Sequence, residues 1–348
     1  MKHSAGIRLA LNLLCSAAAA LLLSTQADSA SAQDRKSEFR KQKVQPMFKT
    51  ILNWIPTDTE TLVVTKGPYQ IEVRDEDNPR RLPLMKYLEG ISYSPLGNAR
   101  KGGYLKKLQG QEIALAVEGA RAFRSPKSLG LWPYEGCHIL VFSRELGATG
   151  DALRKAWRAD AVKVHKIEGH DVYSFEQKLE EDVWKFFFAQ PAANVLLCAT
   201  DQQYITELLK RMERPGEKRA FPDDLPEWKH ADINARCWAI RHYGKPREVE
   251  YAEAPLSVDP QAVGLAFNYT PNPKEAAKTS VSIKYLSASK RAREIATKAW
   301  TYFDQPKWRP TVRQSAPGVV DVTAEFEQER AREFLFLLLF HLGHMINV

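Results

Sequence analysis

The sequence predicts an α+β fold with mainly antiparallel sheets and packed helices, built as two related modules and closed by a buried C-terminal helix. Three observations predict it. Short apolar or β-branched runs recur along the chain, among them "CHILVFS", "NVLLCATD" and "VSIKYLS". Most connections between them are of hairpin length, which antiparallel strands allow and parallel strands do not. Stripes with helical spacing interrupt the runs in a similar order in each half, namely strand, strand, helix, hairpin, helix.

In order along the chain, residues 1–32 read as a secretory signal. Lys2 and Arg8 precede an apolar run from Leu9 to Leu23, and Ala30-Ser31-Ala32 supplies the small-residue cleavage pattern. Cys15 follows Leu14 rather than a small residue, so the segment does not read as a lipoprotein signal. Residues 33–47 form a polar, charge-dense tether. The first module spans 48–230. Pro56 cannot donate to a ladder, Thr57-Asp58-Thr59 suits a turn, and "TLVVT" is β-branched. "LPLMKYLEGI" reads as a short helix.

Extended runs then follow: "GQEIALAVEGARAF", "CHILVFS", "AVKVHKIEG", "HDVYSFEQ", "WKFFFAQ" and "NVLLCATD", with a hairpin turn at Glu168-Gly169. Two helices break the series. In "GDALRKAWRA", Leu153 and Trp157 share a face; in "DQQYITELLKRM", Tyr204, Ile205, Leu208, Leu209 and Met212 form one stripe, with Asp201 as the N-cap. The segment "ERPGEKRAFPDDLPEWKH", with three prolines among charges, marks the internal boundary.

The second module spans 231–348. "RCWAIRHY", "VGLAFNYT" and "VSIKYLS" are strands, "SASKRAREIATKAWTYF" is a helix, and a hairpin turns at Ala316-Pro317-Gly318. The closing helix carries seven consecutive apolar residues, Phe334 to Phe340, which is too short to span a bilayer and apolar on all sides, so it is expected to be buried. His341 and His344 follow it three apart without the glutamate of an HEXXH motif, and no metal site is expected there.

At 348 residues, with 44% hydrophobic and 26% charged residues, the chain has an ordinary globular composition and is not a disordered one. The formal net charge is +8, and loss of Lys2, Arg8 and Asp28 with the signal removes two cations and one anion, lowering it by one. A basic exported protein is drawn toward acidic envelope polymers, and export argues against nucleic acid as partner. Cys137, Cys198 and Cys237 remain after cleavage, each in or beside a strand-like run and without CxxC spacing, so buried thiols are expected rather than disulfides or zinc.

No catalytic motif accompanies these elements. Nothing matches GxSxG, a phosphate loop or a dinucleotide turn, and His138, His165, His170, His230 and His242 have no carboxylate at motif spacing. The most informative stretch is "RCWAIRHYGK", a strand apolar on both faces that emerges as Arg241, His242 and Tyr243. These three are the candidate ligand-binding residues, since a buried strand ending in polar and aromatic groups is a common way to build a site. Among the tryptophans only Trp132 and Trp308 lie in proline-flanked loops where a ring can face a sugar.

The opening "WIPTDTETLVV", the hairpin "IEGHDVYSF" and the segment "FPDDLPEWKHADINARCWAI" resemble a group of uncharacterised exported bacterial proteins, over roughly residues 51 to 240, with Thr57 where that group commonly has alanine. The resemblance implies export, an α+β fold and module duplication, and carries over no catalytic residue. The functional expectation is an exported, envelope-associated, periplasmic or extracellular protein that binds a ligand or partner, either an acidic envelope polymer or another exported protein. It has no transmembrane span in the mature chain and no cofactor. The alternative is an enzyme, a hydrolase acting on envelope polymers, with His242 as general base because imidazole titrates near working pH.

Overall fold

In a computed structural model, the residues described are 47–70, 111–122, 134–148, 150–151, 154, 161–179, 182–216, 218–235, 237–242, 262–271, 278–287, 290–301 and 310–327. The signal segment, all of the tether but Met47, the short helix at 82–91, Leu153 and Trp157, Trp132, Trp308, Tyr243 and the closing helix lie outside them.

The described chain is mostly β, which corrects the α+β expectation. Twelve strands account for most of its ordered backbone, and the helices between them are few and short. The reason is strand length. Several strands run ten or eleven residues, β-branched and aromatic side chains extending pairing beyond the apolar cores visible in the sequence. Helices cover these sheets without sharing the fold equally with them.

Two compact units emerge. One takes residues 47–59 and the described parts of Val64–Pro222. It opens with a helix, α1 (47–54), then a turn at Pro56–Asp58 and strand β1 (Thr61–Gln70). β2 (Glu112–Ala122), β3 (Tyr134–Phe142), β4 (Lys163–Ile167), β5 (His170–Leu179), β6 (Asp182–Ala192) and β7 (Val195–Ala199) follow, then helix α2 (Gln202–Glu213). Its strand order is β1-β2-β3-β7-β6-β5-β4, and every pairing from β2 onward is antiparallel.

The other unit takes Glu60–Val63, so that β1 begins in it, and the described part of Asp223–Val348. A single 3-10 turn (Pro226–Lys229) leads to β8 (Cys237–His242), β9 (Ala262–Pro271), β10 (Lys278–Ser287), helix α3 (Ala292–Thr301), β11 (Thr311–Ala316) and β12 (Val319–Glu327). Outward from β8 the order is β8-β9-β10-β12-β11, again antiparallel. α3 packs against β11 and β12, its Ala292 and Ala296 buried, as are Val320 and Val322 of β12.

α2 shows why the sequence folds as it does locally. Asp201 caps it, its carboxylate accepting the Tyr204 backbone N–H at 2.7 Å. Tyr204, Ile205, Leu208 and Leu209 are all buried against β3, β6 and β7. The approach is close enough to require glycine at 119, where a Cβ would stand 2.5 Å from the Tyr204 hydroxyl. That hydroxyl shares a 2.9 Å hydrogen bond with Thr59. Arg121 completes the arrangement: 2% exposed, it donates from Nη1 to Asp58 at 2.8 Å and to Glu207 at 3.1 Å, its Nη2 lies 3.6 Å from Asp201, and its guanidinium sits 5.0 Å over the Tyr204 ring.

Both sequence-predicted hairpins form, at Glu168-Gly169 and at Pro317-Gly318. In the first, Glu168 has φ 47° and Gly169 φ 81°, the left-handed pair of a type I′ turn. Glycine accepts that geometry freely; glutamate does not. We expect Glu168→Asn, which removes a strained residue from an exposed turn, to stabilise the protein by about 0.4–1 kcal/mol, read as a raised urea midpoint with an unchanged m value.

Candidate functional site

β8 delivers the sequence-predicted residues, and its pleat separates them. Arg241 points to one face of the sheet, where it is 1% exposed with Nη2 3.8 Å from Glu60 Oε2. His242 points to the other face, with Trp238 and Ile240. Its backbone N–H donates to the Glu60 carbonyl at 2.8 Å, which fixes the end of the strand. Arg241 and His242 therefore do not form one site, and Tyr243 lies outside the described residues.

What His242 meets instead is Glu227. The 3-10 turn lies over β8 and β9, started by Pro226 at its first position, and it stacks Trp228 edge-on against the buried Trp238 with ring centroids 5.7 Å apart. This contact sets Glu227 beneath the imidazole. Its Oε1 is 2.8 Å from His242 Nδ1, and the carboxylate is fully buried while the histidine side chain is 29% exposed. Where Glu227 accepts, Nδ1 carries the hydrogen, and the contact holds the partly exposed ring in one orientation. Glu227 Oε2 is buried with no hydrogen-bond partner among the described residues. A carboxylate kept dry and half-satisfied is costly, which makes the pair more than a convenient strand tie.

Further along the same face is a second ion cluster. The register places Ile240 opposite Ala266, Ala266 opposite Lys284, Lys284 opposite Asp321, and Asp321 opposite Arg313. Asp321 is 1% exposed, with Lys284 Nζ at 2.6 Å, Arg313 Nε at 3.5 Å and the Ser315 hydroxyl donating at 2.8 Å. Burial alone pushes its carboxyl up, but the hydrogen bonds from Lys284 and Ser315 and the two nearby charges outweigh this and hold it below the ordinary range.

His138, His165 and His170 sit in the other unit. His165 Nε2 and Ser174 Oγ share a 2.7 Å hydrogen bond, but Ser174 lies mid-strand and the ring has no carboxylate among the described residues, so the pair ties β4 to β5. His170 binds Glu213 at the end of α2, at 3.0 Å. His138 stands directly across from Glu118 with Nδ1 3.7 Å from Oε2. Burial pushes the Glu118 carboxyl up, and the His138 charge offsets only part of that. Cys137 and Cys198 are free and buried. Cys198 pairs with His138 and Cys137 with Ala199, so the two sulfurs point to opposite faces and cannot meet. Burial pushes the Cys137 thiol up to about 12 and raises Cys198 as well, the opposite of what a nucleophile needs.

Among the described residues no group of three or more His, Cys, Asp or Glu side chains is placed to hold a metal ion. None of their helices is long and apolar enough to cross a membrane. Sequence reasoning singled out His242 but missed Glu227, which is fifteen residues away in a proline-rich loop. The available signal was an acidic residue set between Pro226 and Trp228, two residues that anchor a turn. Comparison with protein-family models, with curated proteins and with solved structures finds no match to this chain.

Two outcomes test these pairs. His242→Ala leaves the Glu227 carboxylate buried without its partner and should cost about 3–5 kcal/mol, whereas adding Glu227→Leu should recover most of that loss in chemical denaturation. Glu118 is a carboxyl raised by burial, so the folded protein holds its proton more tightly than the unfolded chain, and stability falls as pH rises from the ordinary carboxylate range toward the folded value. Glu118→Gln should therefore raise the melting temperature at pH 7, with the gain vanishing near pH 4; an equal gain at both would refute the assignment.

Proposed function

We propose that this chain is an exported, envelope-associated protein that binds an acidic ligand at the outer end of β8. The observation that carries the reading is the Glu227–His242 hydrogen bond: a wholly buried carboxylate holds an imidazole that is itself partly open to solvent. A surface histidine swings among rotamers and loses that freedom when a ligand binds. Here the ordering has been done by the fold, so the ring in its imidazolium form, with an N–H on Nε2 as well as on Nδ1, can donate to a carboxylate, phosphate or sulfate without that loss. The chain's net charge of +8 favours the encounter with a polyanion. The signal-like first 32 residues, and the resemblance to exported proteins, support the compartment in which such polymers are found.

The same hydrogen bond favours a second reading, hydrolysis of an envelope polymer. A carboxylate fixing Nδ1 leaves Nε2 aligned as a general base toward water, the role a buried acid plays for histidine in hydrolytic sites. Glu227 would then be a positioning residue.

Retention of the full-length mature protein on immobilised polygalacturonate, against neutral dextran, tests the first reading, and release of new reducing ends in the same samples tests the second. His242→Asn keeps a donor for Glu227 but removes the ring. It should weaken retention about tenfold, the equivalent of one charge-assisted hydrogen bond at ~1.4 kcal/mol. Retention unchanged in that variant would refute the binding reading.

A further inference from the structure

The ion cluster on β10, β12 and β11 shares its face with His242, and the proposed function makes no use of it. Asp321 is 1% exposed, whereas Arg313 is 66% exposed and Lys284 24% exposed, so the anion lies beneath and two cations lie above it. One carboxylate cannot neutralise both. The outcome is a surplus positive charge at Asp321; the Glu227–His242 pair shares with it only the placing of a basic side chain over a buried carboxylate. Lys284 is two strands from β8 and one row along from His242, which puts the two stations about 12 Å apart for strands spaced by about 4.8 Å and residues by about 3.4 Å. A single carboxylate or phosphate cannot touch both.

Hydroxyl groups border the cluster. Thr311, Thr323 and Ser282 occupy the next row of the same face, Thr311 exposed and the other two half-exposed. The half-buried Trp228 lies beside Glu227 in the turn above β8. Hydroxyls, fixed basic groups and a half-exposed indole are what a chain of acidic sugars asks of a protein surface: hydrogen bonds to ring hydroxyls, charge pairs to the acid groups and an apolar surface for the rings.

We propose that the ligand is an acidic polysaccharide bound at two stations, His242 over Glu227 at the end of β8 and the Lys284–Arg313 pair over Asp321. This rests on the binding reading above and extends it from a single anion to a polymer. The first station alone binds one acid group; the second makes affinity depend on length, because a bound chain offers its next acid group at high local concentration.

The test measures binding of galacturonic acid, its tetramer and polygalacturonate to the full-length mature protein and to Arg313→Ala. Arg313 is exposed, so the variant should fold, which its melting temperature checks; Arg313→Lys is the conservative companion. The wild type should bind the tetramer at least about tenfold more tightly than the monomer. Arg313→Ala should lose most of that advantage, and Arg313→Lys should regain it. Tetramer binding unmoved in Arg313→Ala, or poly-glutamate bound as tightly as polygalacturonate, would overturn the two-station proposal and leave the His242 site standing. No binding of monomer, tetramer or polymer by the wild type would overturn the acidic-ligand reading and this proposal together.

Discussion

Successive side chains on a strand point to opposite faces, and in a protein made mostly of strands this alternation decides which groups can meet. Arg241 and His242 are neighbours in sequence, yet one is buried beside Glu60 and the other faces Glu227. Cys137 and Cys198 lie on paired strands and still point apart. Glu118 and His138, twenty residues apart, are brought opposite one another by antiparallel register, one step along from the Gly119–Cys137 pair on the other face. A slip of one residue in one of these pairings would exchange every partner along that pair of strands at once, which is why register is strongly specified where one face is buried.

The helix-bearing face of the Val64–Pro222 unit shows how a charged residue is kept inside such a fold. Arg121 is almost entirely enclosed, but its partners are not: Asp58, Asp201 and Glu207 are 39%, 30% and 32% exposed. Desolvating one guanidinium costs several kcal/mol, and desolvating three carboxylates with it would cost far more than their attraction returns. Leaving the acids partly in water avoids that second cost. The guanidinium also lies over Tyr204, whose own ionisation is suppressed chiefly by burial, so the ring stays neutral and its hydroxyl remains a partner for Thr59. Asp201 serves twice, as the cap of α2 and as a charge near Arg121, so the start of the helix and the buried cation depend on the same side chain.

What could be read from the sequence was local. Asp201 before an apolar stripe, glycine in each hairpin turn and the β-branched "TLVVT" after Pro56 all act through neighbours a few residues away, and the structure contains each of them. The class of the fold was misread because a local reading sees a strand's apolar centre and not its ends. "CHILVFS" begins three residues after the strand that starts at Tyr134, since Tyr134 to Gly136 are extended only because β2 runs alongside. The partner of His242 was hidden for the same reason. His242 was visible as the polar end of a buried strand, but Glu227 becomes its partner only when Trp228 has packed on Trp238 and turned the loop back over β8.

A buried acid under an exposed base occurs twice on one face, as Glu227 under His242 and Asp321 under Lys284 and Arg313. Each buried carboxylate weakens the fold relative to an apolar residue of the same size, because its desolvation is only partly offset. Each also fixes the basic side chain above it in a way that a solvated lysine or histidine on its own is not. For an interaction with a partner that stays in the aqueous phase, that exchange is favourable: long side chains on a flat sheet otherwise lose rotamer freedom on every contact, and surface ion pairs made under that loss contribute little. A cation already ordered by a carboxylate beneath it has met this cost during folding. On the proposed binding, the stability given up in the sheet is returned as affinity at its surface.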